Sequence, residues 1–443
     1  MSTTGNWSIL SQTYEKGTAK SRRIFERAKK VFPAGVSYRI RSIEPYPFYV
    51  SKAKGSKVTD VNGNAYTDYW CGHFALILGH AHLKVVRAVK EQAEKGFHYG
   101  IAHELELKLA EQICRMVPSA QLLRFCGSGT EANMFGARLA RTYTHRSKIG
   151  KFEGNWHGAY DPLHVAIKPP FDKPASGGLT EGALMDTVIL PYNNLEKTRR
   201  IMDEHDLASV VVEPVMGAGG MVPADLEFLK GLAELCKERS TLLVFDEVIT
   251  GFRLGPGGAQ GKWKIMPDLT ILGKITGGGL PIGAVTGKRE IMEHMDHMKY
   301  DVPEYCFHGG TYAGNPMSMT AGFATLKILE DGSAYKKIDA FGERMRQELN
   351  EIFSRAGFDI HTTGTGSILG CHFTKVSVVD MITASTGDKE LSKKFTAHLL
   401  DRKIFALTPE LVHCAISTAH TKSDIDAFLS AAEEFAKKEK QSK

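Results

Sequence analysis

Between Gln121 and Phe245 the chain alternates two kinds of segment. Ser209-Val-Val-Val212 and Thr241-Leu-Leu-Val-Phe245 are short continuous apolar runs, and Gln121–Phe125 is a third strand-like stretch. Runs of this length without polar alternation suit strands covered on both faces. Glu131–Tyr143 and Ala224–Lys237 instead repeat their apolar residues at helical spacing, the second through Leu226, Leu229, Leu232, Ala233 and Leu235. The alternation predicts an α/β fold: a mostly parallel sheet with helices on both faces.

The flanks differ. Before residue 66 the pattern predicts an arm, a helix over Ser21–Val31, and short strands at Phe48–Val50 and Lys57–Val61 with a turn at Asn62-Gly63. Val85, Val86, Val89 and Ala93 predict a helix over Leu83–Lys95, stopped at Gly96. After Gly332 come a helix (Tyr335–Phe353), strand-like Gly366–Phe373 and Leu411–Ile416, and a last amphipathic helix for which Ser423 is the expected N-cap. We expect an N-terminal arm and part of a small domain at 1–65, a large α/β domain at 66–331, and the rest of a small α+β domain at 332–443.

Composition narrows the function. The 443 residues are 42% hydrophobic and 24% charged, as in a soluble globular protein. The net charge of +6 is spread out, with short clusters only at Lys20–Arg23 and Lys437–Lys443, which argues against nucleic acid as a partner. A mild positive field suits anionic small molecules. Seven cysteines without CxxC spacing suggest reduced thiols, and no metal site is expected. The polar Met1–Tyr14 lacks a signal region, and no apolar run is long enough for a membrane span. A cytoplasmic enzyme is the expectation.

The chemistry concentrates at strand ends. Asp246 closes the run Leu242–Phe245, and Lys274 follows Leu269-Thr-Ile-Leu-Gly273 and precedes Gly277-Gly-Gly279. A partly buried lysine favours its neutral, nucleophilic form. A carboxylate at a strand end can hold a ring nitrogen protonated, and the two together suggest pyridoxal phosphate carried as a Schiff base. Gly127-Ser128-Gly129-Thr130-Glu131, between strand and helix, can cradle a phosphate. Taken alone, each of these stretches also fits an ordinary turn, cap or surface charge. The same is true of Glu213-Pro214, Trp156-His157-Gly158 and Gly310-Thr311.

Their order along the chain is more specific. Gly127–Asn133, Trp156–Gly158, Val212–Pro214, Phe245–Arg253, Leu272–Lys274 and Gly310-Thr311 together resemble the class III pyridoxal-phosphate aminotransferases of fold type I, over about Phe25–Phe435. The branch most similar contains glutamate-1-semialdehyde aminomutase and the β-amino-acid aminotransferases. The resemblance implies that Lys274 carries the cofactor and shuttles a proton, and that Asp246 pairs with the ring nitrogen. It implies that Val248 and Trp156 cover the ring's two faces beside His157, that Ser128, Gly129 and Thr130 hold the phosphate, and that Glu213 stands behind. Thr311 is implied to reach the neighbouring subunit's phosphate across a homodimer.

Departures from the family pattern bear on substrate. Trp156 replaces the usual Tyr or Phe, Ala218 stands where many ω-amino-acid aminotransferases have glutamate, and Ile249 replaces a glutamine. Against the aminomutase pattern, Val36-Ser-Tyr38-Arg39-Ile-Arg41 replaces Val-Ser-Ser-Pro-Val-Arg, His73 replaces tryptophan, Pro162 replaces serine, and Glu410-Leu-Val412 loses a glutamate. Arg41 is the first candidate clamp for a substrate carboxylate and Arg39 the second, with Tyr38, His73 and Glu410 shaping the pocket. The reading placed first is a ping-pong aminotransferase. It would act between a carboxylate-bearing amino donor, a β-amino acid being one option, and a keto or aldehyde acceptor. Glutamate-1-semialdehyde aminomutase is the alternative and a racemase a lesser one.

Overall fold

The computed structural model describes residues 12–406 and 410–441. Its centre is a seven-stranded sheet. From one edge the strands are Leu122–Cys126, Gly283–Gly287, Leu269–Gly273, Leu242–Asp246, Leu207–Val212, Lys148–Phe152 and Thr187–Leu190. The five strands from Leu269–Gly273 to Thr187–Leu190 run parallel, while Gly283–Gly287 is antiparallel to both its neighbours. The sheet is therefore mostly parallel, as the alternation predicts, and the fold is α/β. The antiparallel strand carries little sequence signal, because Gly283-Ala-Val-Thr-Gly287 has weak strand propensity. Its small residues are needed by packing: a Cβ on Gly283 would meet the Ser128 carbonyl oxygen at 2.0 Å.

The two predicted runs fall in strands Leu207–Val212 and Leu242–Asp246, which are buried at every position. Helix Leu226–Glu238 packs Phe228, Leu229, Leu232 and Leu235 inward, whereas Leu226 is exposed. Asp225 caps it by accepting from the Glu227 and Phe228 N–H groups.

Three smaller sheets flank the centre. Val50–Lys54, Lys57–Asp60 and Ala65–Asp68 form a meander joined in parallel by Ile404–Phe405. His361–Thr365, Ile368–His372 and Val412–Ala415 make an antiparallel three-stranded sheet. The last pairs Val215–Met216 with Val222–Pro223. The C-terminal helix begins at Lys422, one residue before the expected cap Ser423. Thr421 and Asp424 close its first turn instead: Thr421 N donates to Asp424 Oδ2 at 2.9 Å, and Asp424 N donates to Thr421 Oγ1 at 3.2 Å. This reciprocal pair satisfies two backbone donors, which a serine at position 423 could not do.

All seven cysteines are free. Among the described residues no helix is long and apolar enough to cross a membrane, and no cluster could hold a metal ion.

Candidate active site

The parallel strands deliver their C-terminal ends to one region, where ligands bind in doubly wound sheets. Asp246, the last residue of its strand, is buried there. Its Oδ2 accepts from His157 Nδ1 at 2.7 Å and from Asn133 Nδ2 at 2.9 Å, and its Oδ1 accepts from the Val248 N–H at 3.0 Å. An ionised carboxylate only accepts, so His157 carries its proton on Nδ1. Burial holds the His157 pKa below the usual imidazole range, against the pull of Asp246. His157 Nε2 is left with no partner. The carboxylate retains acceptor capacity for one more donor. The adjacent Glu247 serves the fold alone: it accepts from Thr250 Oγ1 at 2.8 Å, Ala259 N at 2.6 Å and Gln260 Nε2 at 3.0 Å.

Lys274 directly follows the strand Leu269–Gly273 and opens a short 3-10 turn with φ of 49°. A left-handed non-glycine residue costs about 1–2 kcal/mol, and such strain gathers at functional sites. Burial lowers the lysine pKa, while the charges of Asp246 and Glu213 oppose the shift. The lysine therefore lies within electrostatic reach of both carboxylates.

Glu213 is buried behind this pair. Its Oε1 accepts from the Trp156 N–H at 2.5 Å and its Oε2 from the Gly217 N–H at 3.1 Å. Its own N–H donates to Asn155 Oδ1 at 2.7 Å. Burial, then the charge of Asp246, pushes its pKa up to about 8.

The segment read as an anion cradle lies at a helix N-terminus. Ser128 is the N-cap of helix Gly129–Thr144, its Oγ accepting from the Glu131 N–H at 3.2 Å. Glu131 Oε2 accepts from the Gly127 N–H at 2.7 Å. Gly158, with φ of 85°, lies against Thr130: a Cβ there would meet Thr130 Oγ1 at 2.1 Å. Val248 packs between Gly129 and Gly273, whose added Cβ atoms would lie 3.0 and 3.3 Å from its methyls. Trp156 is 37% exposed, with its ring edge-on to His164.

The structure thus brings together Lys274, Asp246, His157, Glu213, Val248 and the Ser128–Thr130 cradle. His157 and Glu213 act at one remove, through Asp246 and through the backbone of Trp156. Asn133 is a member that sequence reasoning left without a role. Its place four residues after Gly129 puts it on the same helix face, a signal that was available. Thr311 is exposed, and among the described residues no hydrogen bond ties it to this group.

Within electrostatic reach of Lys274, Tyr38 and His73 stack with centroids 6.3 Å apart and planes at 10°. Burial lowers the His73 pKa to about 3, with further contributions from the charges of Lys274, His413 and Arg41. Arg41 is exposed and donates to Ser37 Oγ at 3.0 Å. Arg39 is exposed in the same 3-10 turn. Glu410 is exposed and lies in the field of Lys393, and among the described residues it makes no hydrogen bond to the Lys274 group.

These features fit a flat cofactor with a basic ring nitrogen and a phosphate. Asp246 has a free acceptor site, a long helix offers its N-terminus, and a reachable lysine stands between. Comparison with known proteins agrees. A glutamate-1-semialdehyde 2,1-aminomutase from Desulforamulus reducens is 41% identical over 421 residues, covering 93% of this chain and 96% of its own. An omega-transaminase from Sphaerobacter thermophilus superposes with a TM-score of 0.90 at 34% identity, covering 96% of this chain and 100% of its own. A beta-phenylalanine aminotransferase from Variovorax paradoxus gives 0.87 at 31%, covering 96% of each. By sequence the similarity thus leans to the aminomutase rather than to the aminotransferase placed first from the residues. The family model for aminotransferase class-III matches residues 39–428, and the chain belongs to that family of fold type I pyridoxal-phosphate enzymes.

Proposed function

We propose that this enzyme moves the amino group of a small carboxylate-bearing amino compound, with Lys274 as the amine that takes and returns the proton. The observation that carries this reading is the convergence of Lys274 and Asp246 at neighbouring strand ends, with the anion cradle beside them. Ser128, Gly129 and Thr130 would hold the phosphate, Asp246 the ring nitrogen, and Val248 and Trp156 the ring faces. Bound pyridoxal phosphate supplies an electron sink for a carbanion. Asp246 keeps that sink protonated, and Asn133 and His157 fix the carboxylate's orientation. Arg41 is the proposed seat of the substrate carboxylate.

The reaction itself has two readings. An intramolecular shift between neighbouring carbons, as in glutamate-1-semialdehyde 2,1-aminomutation, is supported by the 41% identity over nearly the whole chain. Intermolecular transfer is favoured by the stacked Tyr38–His73 pair, which stands where the aminomutase pattern has serine and tryptophan. Incubation with glutamate-1-semialdehyde alone separates them. A shift yields 5-aminolevulinate catalytically without a second substrate. Transfer stops after one equivalent until a keto acid is added. Inertness toward carboxylate-bearing amines in both formats sinks the proposal.

We infer a homodimer with Thr311 serving the partner's site. The segment around Thr311 supports it: Phe97, Ile101, Phe307 and Tyr312 are exposed, and Asn315 Nδ2 and the Gly314 carbonyl bind Phe97 O and His103. Mixing Lys274→Ala and Thr311→Ala protomers is expected to restore activity that neither has alone. A monomeric sedimentation mass overturns the inference.

A further inference from the structure

Trp70 is followed by a conformation that L-residues avoid. Cys71, Gly72, His73 and Phe74 are consecutive left-handed residues, with φ of 49°, 58°, 64° and 66°. They form one left-handed turn, in which Phe74 N donates to Trp70 O and Leu76 N to Cys71 O, both at 3.0 Å. Three of the four are not glycine, and each costs about 1–2 kcal/mol in this region. Such a turn persists only where its surroundings enforce it.

The enforcing groups are visible. Asp68 Oδ1 accepts from the Trp70 and Cys71 N–H groups at 2.8 and 3.1 Å. Arg253, fully buried, donates through Nη2 to the Phe74 carbonyl at 2.8 Å. Its Nη1 donates to the Ile416 carbonyl at 2.9 Å and to Ser367 Oγ at 3.4 Å. Among the described residues it makes no salt bridge. Its planar fork therefore ties the turn to the chain just beyond the strand Val412–Ala415, which a lysine's single point of attachment cannot do. The residue so presented is His73. Its ring lies 4.6 Å from Trp70 and stacks on Tyr38, three residues before Arg41.

We propose that Arg253 is a positioning residue for substrate selection, locking the left-handed turn so that His73 stands beside Arg41 as a second donor to the substrate carboxylate. The inference rests on the proposed role of Arg41. The imidazole is uncharged near neutral pH, so it adds a directed hydrogen bond without a further fixed charge. Arg253 itself never touches substrate.

The test uses the holoenzyme and two amines that differ only in the group at the far end, 4-aminobutyrate and n-butylamine. The half-reaction is followed by loss of the cofactor's absorbance, and butanoate binding by calorimetry. His73→Ala is expected to lower the kcat/KM preference for 4-aminobutyrate about tenfold or more, the size of a hydrogen bond to a charged group. Arg253→Lys is expected to do nearly the same through KM, with n-butylamine kinetics unchanged and butanoate binding weakened in parallel. In the His73→Ala background Arg253→Lys should change the preference no further, since the two act as one unit. Equal losses on both amines, or additive losses of preference in the double variant, overturn the proposal. If Arg253→Lys does not fold, Asp68→Asn, which weakens the acceptor for the Trp70 and Cys71 N–H groups, loosens the turn from its other end and must give the same selective loss. A wild type without preference for 4-aminobutyrate defeats both the Arg41 assignment and this inference. A preference abolished by Arg41→Ala but untouched by His73→Ala defeats this inference alone.

Discussion

The two walls of the site are built differently. The wall of Asp246, Asn133, His157 and Glu213 is buried, stands largely on strand ends and a helix, and is densely hydrogen-bonded. The second wall of Tyr38, Arg39, Arg41 and His73 rests on a 3-10 turn and a left-handed turn, and much of it is exposed. A cofactor is the same in every turnover and rewards a rigid seat. Groups on turns can vary without disturbing the sheet, which suits the proposed part of this second wall in substrate choice.

The contrast can be broken first at Lys274. Lys274→Ala is expected to lower turnover by about 10⁴-fold, the upper range of lost proton transfer. Borohydride treatment and mass spectrometry should find no cofactor fixed to the chain; retention of the adduct would move the nucleophile elsewhere. Asp246→Asn comes next. It turns a shared acceptor into a partial donor facing His157 and Asn133, and each orphaned partner costs about 1–3 kcal/mol. Urea unfolding should show the loss, together with at least a hundredfold fall in turnover; unchanged stability would contradict the rigid-wall description. On the other wall, Arg41→Ala should raise KM for carboxylate substrates about 10–100-fold, the worth of one charge-assisted bond, and leave stability alone. Equal effects on simple amines would relocate the clamp.

The smallest effect is a pH slope. Burial and then the charge of Asp246 push the Glu213 pKa up to about 8 in the folded chain, against about 4.3 when unfolded. The folded state therefore holds a proton that the unfolded state releases. Its contribution to stability is full below about pH 4.3 and is lost as pH rises through 8. Apoprotein unfolding measured from pH 5 to 8 should lose up to about 1.4 kcal/mol per pH unit from this group. Glu213→Gln should flatten that part of the slope. An identical slope in the variant would show that Glu213 is ionised throughout.

The legible part of the molecule was the part governed by short-range rules. Leu242–Phe245 and Val210–Val212 are apolar at every position because both faces of their strands are covered, so they announce themselves. The glycine-flanked cradle and Lys274 follow from local backbone needs. Gly283–Gly287 was missed because its residues answer to the close approach of Ser128, a contact across 155 residues of chain. Ser423 was misplaced because the neighbouring Thr421 could also cap, and only Asp424 reaching back decided between them. Arg253 was visible in its motif but without a role, since its partners Phe74, Ser367 and Ile416 lie far away in sequence.

Sequence by itself therefore determined the α/β alternation and the family resemblance that pointed to the cofactor. Both rest on periodicity and on motifs whose residues act near where they stand. The tertiary structure decided that Asn133 and His157 are the partners that orient Asp246. It also decided that His73 stands on a left-handed turn within electrostatic reach of Lys274. Such outcomes depend on hydrogen bonds between segments 89 to 179 residues apart, and local spacing cannot encode them.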